Sequence, residues 1–174
     1  GAPRTRENVQ RGVDYLSLAQ SAVDAASSSD YAHPQFAATY TNLGIAKTQL
    51  AGLLSPRADA TFGCVPDVGN EAMLNQAKSD LEVALRRAAP GSDDQRAAQL
   101  ALACTQLALG DVGDAHVTAS AAVQTESAAS WVMYARVLAA QQQWTDAAAR
   151  YGQAAGLAST EEARSIIHLE RARV

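Results

Sequence analysis

WVMYARVLAAQQQWTDAAARYGQAAGL, residues 131–157, is the stretch whose reading decides the fold. Trp131, Tyr134, Ala135 and Leu138 fall on one side of a helix, and Ala147, Tyr151 and Ala154 do the same on a second. The two segments, 131–141 and 144–157, therefore form a helical hairpin. Small residues at fixed offsets let paired helices approach closely, and repeating the pair builds a stack. A fainter copy lies about thirty residues upstream: Leu102 and Ala103, the Gly110-Asp111 turn, then Ala115, Ala119 and Ala122.

Outward from there, the same period accounts for most of the chain. Residues 5–26 read as a first helix with Val9, Val13, Leu16, Val23 and Ala26 on one side. Tyr15, Leu18, Ala22 and Ala25 line a neighbouring side, and so wide an apolar stripe calls for more than one neighbour. Ser27-Ser28-Ser29-Asp30 ends that helix by competing for backbone hydrogen bonds. Pro34 suits the first turn of the next, which carries Phe36, Tyr40, Leu43, Gly44, Ala46 and Leu50 and stops at Ser55-Pro56. Asn70 is placed to cap a helix over 71–89 with Leu74, Ala77, Leu81, Ala84 and Leu85 inward, closed by Pro90-Gly91. Ser92 with Gln95, and Ser159 with Glu162, fit capping boxes that open helices at 93 and 160.

Between the second and third helices lies SPRADATFGCVPDVGN, residues 55–70, which fits neither helix nor strand. It is long for a hairpin connection, and Phe62, Val65 and Val68 argue against simple disorder. It reads as a loop folded back over an exposed helix edge; the sharper alternative is a loop, with Phe62 and Val65 foremost, that touches a partner or fills a groove.

Of the 174 residues 48% are hydrophobic and 5% aromatic, so much of the apolar content is alanine. Alanine is the best helix former, which favours an all-α chain. It buries little area per residue, so stability must come from many close helix contacts. The net charge is −4 with no concentrated basic face, which argues against nucleic-acid binding, and Arg86-Arg87 complements a helix C-terminus. No apolar run reaches the roughly 18 residues of a membrane span. Cys64 and Cys104 make no disulfide framework: Cys104, in an apolar helical run, reads as a small buried hydrophobe, with a bond to Cys64 as the lesser alternative.

These residues resemble the tetratricopeptide-repeat family. Trp131, Tyr134, Ala135, Leu138, Ala147, Tyr151 and Ala154 match its pattern well, with Trp144 at a further aromatic position. Ala115, Ala119 and Ala122 match the second helix of the preceding repeat, although Ala119 stands for an aromatic. Gln99, Leu102, Ala103 and Gln106 depart from the first at both large positions. Tyr40, Leu43 and Gly44 answer Ala77, Leu81, Ala84 and Pro90 across the insertion. The resemblance implies an all-α fold of antiparallel hairpins stacked as a short right-handed α-solenoid, with a long loop inserted in the first hairpin. One domain over 1–174 is expected: a packing helix at 5–26, repeats at 34–90, 93–124 and 128–158, and a capping helix at 160–174.

The resemblance also implies a concave groove lined by the first helices, at Thr41 and Ile45, Leu100 and Cys104, and Val132 and Arg136. Thr41, Leu100 and Val132 stand where the family's carboxylate-binding members carry polar or cationic residues, so capture of a peptide C-terminus is not implied. An apolar groove takes an amphipathic segment of a partner, or is filled by the insertion, by the terminal helix at Ile166-Ile167, or by a second copy. No chemistry competes with this reading. His33, His116 and His168 lack ligand-like spacing, Gly110-Asp111-Val112-Gly113-Asp114 lacks the lysine of a phosphate loop, and Asp93-Asp94 and Glu161-Glu162 suit first helical turns. The expectation is a non-enzymatic scaffold or adaptor without cofactor or metal, binding a protein or peptide and without inserting in a membrane. The alternative is a regulatory or sensor module cut from a larger protein, because the chain opens Gly-Ala-Pro without methionine. Abundant alanine and the excess of arginine over lysine suggest a bacterium, with the chain in its cytoplasm, periplasm or envelope.

Overall fold

A computed structural model describes residues 6–25, 34–54, 70–125 and 127–174. Eight α-helices and one short 3-10 turn make up their regular structure, and no strand occurs among the described residues. The helices are α1 (Arg6–Ala25), α2 (Pro34–Leu54), α3 (Glu71–Arg87), α4 (Asp93–Leu109), α5 (Val112–Ala122), α6 (Ala128–Ala140), α7 (Trp144–Leu157) and α8 (Glu161–Arg171). The serine-rich break at 27–30 and the insertion at 55–69, with Phe62 and Val65, lie outside the described residues. The chain divides into two compact units, Gly1–Gly110 and Asp111–Val174. The division falls inside the repeat expected at 93–124, giving its first helix to one unit and its second to the other.

In the first unit α1 packs on α2, α2 on α3, and α3 on α4, while α4 also reaches α2. Val13 is buried with Leu43 and Leu50, and Val9, Leu16, Ala46 and Met73 close around them. The apolar side of α1 carrying Val9, Val13 and Leu16 is thus the side turned to α2. The closest approach of α2 and α3 is at Gly44, where an added Cβ would overlap Leu81 Cγ and lie 2.8 Å from Cδ2. Only a residue without a side chain lets the buried Leu81 seat there. Three polar links run from α2 to its neighbours, to α3, to α4 and to the N-cap of α3. Lys47 Nζ meets Asp80 Oδ2 at 2.6 Å, the Thr48 and Thr105 hydroxyls lie 2.8 Å apart, and Asn70 Nδ2 donates to the Ala51 carbonyl at 3.0 Å. Each satisfies buried or half-buried polar groups that would otherwise be costly to desolvate.

In the second unit α5 packs on α6, α6 on α7 and α7 on α8. Its core gathers Ala135, Tyr151, Ala154, Ala155, Ala158 and Ile167, with Trp131, Val132, Ala163 and Val174 packed against them. The small residues singled out by spacing, Ala135, Ala147 and Ala154, are all fully buried.

Helix ends follow from short-range chemistry, with four differences from the sequence reading. Asn70 stands at the N-cap of α3 without a side-chain cap bond, because its amide is spent on Ala51. Ser92 caps α4 by accepting from the Gln95 N–H, but the Gln95 side chain accepts from the Gly91 N–H rather than closing a box on Ser92. The cap of α8 is Thr160, not Ser159: Thr160 is extended and its hydroxyl accepts from the Ala163 N–H at 3.1 Å. α6 begins at Ala128, earlier than Trp131, because the Ser127 hydroxyl accepts from the Ser130 N–H. Gly110 ends α4 in the left-handed conformation, φ 83°, where its N–H reaches the Gln106 and Leu107 carbonyls.

Cysteine gives the clearest correction. Cys104 is half-buried and disulfide-bonded rather than a free buried thiol. Spacing along one sequence carries no signal for such a bond.

Candidate interaction surface

The six positions expected to line a groove lie on α2 and α4 in the first unit and on α6 in the second. Within the first unit, α2 and α4 are packed neighbours, so Thr41 and Ile45 share a helix pair with Leu100 and Cys104. Thr41 is buried and its hydroxyl donates to the Ala37 carbonyl one turn back at 2.9 Å. Its polar atom is therefore committed to its own helix. Ile45 and Leu100 are half-buried and keep part of their apolar surface open to solvent. Cys104 is committed through its disulfide.

Within the second unit, Val132 and Arg136 are engaged from inside the chain. Val132 packs against the Ala135–Tyr151–Ile167 cluster. The Arg136 guanidinium forms a two-pronged bond with Glu170 of α8, Nε to Oε2 at 2.9 Å and Nη2 to Oε1 at 2.5 Å. Paired parallel N–H···O bonds are among the strongest polar contacts a protein makes. The charge mapped to the groove is thereby satisfied by the terminal helix, whose Ile167 is buried in the same core.

Tyr151 sits where these groups meet. Burial pushes its hydroxyl well above the ordinary tyrosine range, and the Glu170 carboxylate pushes the same way against the opposing pull of Arg136. Tyr40, in the first unit, is raised chiefly by burial and next by its hydrogen bond to Asp24 of α1, with the Arg87 guanidinium opposing. That guanidinium lies over the Tyr40 ring, 4.6 Å from its centre. Both tyrosines are thereby held as protonated anchors between helices.

A second cluster joins α5, α6 and α7. His116 meets Tyr134 edge-on at 5.3 Å and its Nδ1 lies 3.0 Å from Gln141 Oε1. Arg150 lies over Trp131 and Tyr134 at 5.4 and 5.9 Å. These contacts tie neighbouring helices together and bring no nucleophile beside a base. Among the described residues no group of three or more His, Cys, Asp or Glu side chains could hold a metal ion, and no helix is long and apolar enough to cross a membrane.

Exposed apolar side chains lie elsewhere. Tyr15 and Leu18 on α1 are 73% and 68% exposed, and the exposed Ala22 continues their stripe. Their spacing was legible as a side needing a second neighbour, and among the described residues that side has none packed on it. Leu169 and, to a lesser degree, Ile166 are exposed on α8, and Val117 on α5. Glu170, the residue that answers Arg136, carried no signal in sequence because 34 positions separate the pair. No protein-family model, curated protein or solved structure matches the chain.

Proposed function

We propose that the chain is a helical-repeat scaffold of the tetratricopeptide kind that holds a partner protein or peptide, with no reaction of its own. The observation that carries this reading is the apolar side of α1, where Tyr15 and Leu18 stand exposed one helical turn apart. Large apolar groups left in water along one helix face suit docking of an amphipathic segment. The reading is supported by the order of packing in the first unit. Each helix rests on the next, and α4 also returns to α2, as the first helices of successive repeats do.

Two surfaces are available for the partner. One is the α1 stripe. The other is the α2–α4 face where Ile45 and Leu100 remain half-buried. Val132 and Arg136 contribute less than the family resemblance implies, because α8 already engages them.

Photo-crosslinking from the full-length chain, in extract of its own host, tests the proposal. A crosslinker at position 18 or at position 100 should capture a discrete protein. Leu18→Glu or Leu100→Glu should abolish capture at the surface that is used, at unchanged helical circular dichroism. If neither charge alters the captured set, the scaffold reading fails.

A further inference from the structure

Helix α8 turns Ile167 into the core of the second unit, and its outward side carries another ordered set of residues. Glu162, Ile166, Leu169 and Arg173 follow one another at steps of four, three and four residues, which keeps them on one narrow helix face. All four are exposed, Leu169 at 64% and Ile166 at 38%. Helical winding continues past the end of α8, since the Ala172 and Arg173 N–H groups donate to the His168 and Glu170 carbonyls, and Arg173 therefore stays on the stripe. Among the described residues neither Glu162 nor Arg173 has a charged partner, whereas the neighbouring Glu161 pairs with Arg164.

We infer that this stripe pairs with the same stripe of a second copy, as two antiparallel helices related by a two-fold axis. The order of the four residues singles out that occupant. An axis midway between Ile166 and Leu169 sets each of them opposite the other in the second copy. The same axis sets Glu162 opposite Arg173 at both ends of the pairing. These two charges are equally far from the axis, roughly 8 Å along the helix, so the ends come into register without a shift. Steps of four and three residues make the seam that two helices share, and unlike charges close both its ends. Parallel pairing in register would instead meet Glu162 with Glu162 and Arg173 with Arg173. The α1 stripe lacks this symmetry: outward from Tyr15 and Leu18 stand Arg11 on one side and the uncharged Ala22 on the other.

Four apolar side chains and two exposed ion pairs cover less than the about 1,200 Å² of a lasting interface, so the dimer forms and parts with concentration. Each dimer carries the remaining surfaces of the chain twice, which strengthens its hold on any partner that is itself repeated. The inference stands apart from the partner-binding reading, which uses α1 and the α2–α4 face.

Sedimentation equilibrium of the purified full-length chain, from about 5 μM to about 1 mM, tests it. Wild type should pass from monomer to dimer in that range and go no further. Leu169→Ser should hold it monomeric throughout, at unchanged circular dichroism. Glu162→Arg and Arg173→Glu should each weaken dimerisation roughly tenfold, because like charges then meet at both ends. Mixed one to one, these two variants should dimerise as wild type does, since every end again pairs unlike charges. Should a charge variant fail to fold, weakening of the wild-type dimer by about 0.5 M salt takes its place. A monomer at every concentration, a dimer untouched by Leu169→Ser, pairing lost through Leu18→Glu instead, or a mixture no better than its components would each overturn the inference. A crosslinker at position 169 that captures a different protein in host extract, while the purified chain stays monomeric, does the same.

Discussion

Arg136 on α6 and Glu170 on α8 are joined by two near-parallel hydrogen bonds, and their side chains are only 20% and 11% exposed. The fork of the guanidinium matches the two carboxylate oxygens, so the pair fixes both distance and rotation of α8 against α6. Apolar packing of Ile167 presses the terminal helix onto the unit, but it does not by itself choose one angle. The ion pair makes that choice, and it also places a carboxylate beside the buried Tyr151.

Removing the cation leaves Glu170 half-desolvated without its partner. Arg136→Ala should destabilise the second unit by about 2–3 kcal/mol, and Arg136→Lys should recover only part of this because one ammonium cannot fill both prongs. The double variant Arg136→Ala, Glu170→Ala should lose clearly less than the sum of the singles. Chemical denaturation followed by tryptophan fluorescence reads this directly, since Trp131 and Trp144 both lie in the second unit.

Gly44→Ala drives a methyl group into Leu81, a side chain with no exposure at all. The expected loss is about 1–3 kcal/mol, the usual cost of overfilling a packed contact. Leu81→Ala alone should cost about 2–5 kcal/mol through the cavity it leaves. Combined, the two changes should cost less than their sum, because the new methyl occupies part of the vacated space. Strict additivity in thermal melts would show that the two residues do not touch.

Alkaline titration should expose the buried tyrosines. Below the ordinary tyrosine value of 10.0 both folded and unfolded chains keep these protons, and the stabilising contribution is fully present. Above it the unfolded chain gives up protons that folded Tyr151 and Tyr40 retain. Rising pH then favours unfolding, and the contribution is lost as the folded hydroxyls finally ionise. Denaturation midpoints should fall between about pH 9 and pH 11, and Tyr151→Phe should fall less steeply than wild type. An identical slope in the variant would show that Tyr151 titrates as in the unfolded chain.

Helix positions were legible wherever punctuation and period agree. Ser92 and Gly110 bracket α4, and the bounds of α7 follow from the spacing of Ala147, Tyr151 and Ala154. Ends were misplaced where neighbours compete for one role: Ser159 and Thr160 can both cap, and backbone geometry selects Thr160. The helix of Trp131 was read from that residue, although the repeat was bounded at 128, because Ala128 and Ala129 precede the first large residue and carry no period. Gly44 was readable as a close-packing point, though its counterpart Leu81 was only one of several candidates on α3. The commitments of the groove residues were not readable. Glu170 meets Arg136 across a long sequence separation, and local pattern does not encode such meetings.

The pairing of α8 with α6 and α7 sets a boundary for anyone dissecting this molecule. A fragment halted at Leu157 would lay bare Ala154, Ala155 and the Tyr151 ring, and would strand a guanidinium in a greasy hollow. Such a truncation would be sticky for reasons of its own making, and whatever it captured would reflect the cut rather than the biology.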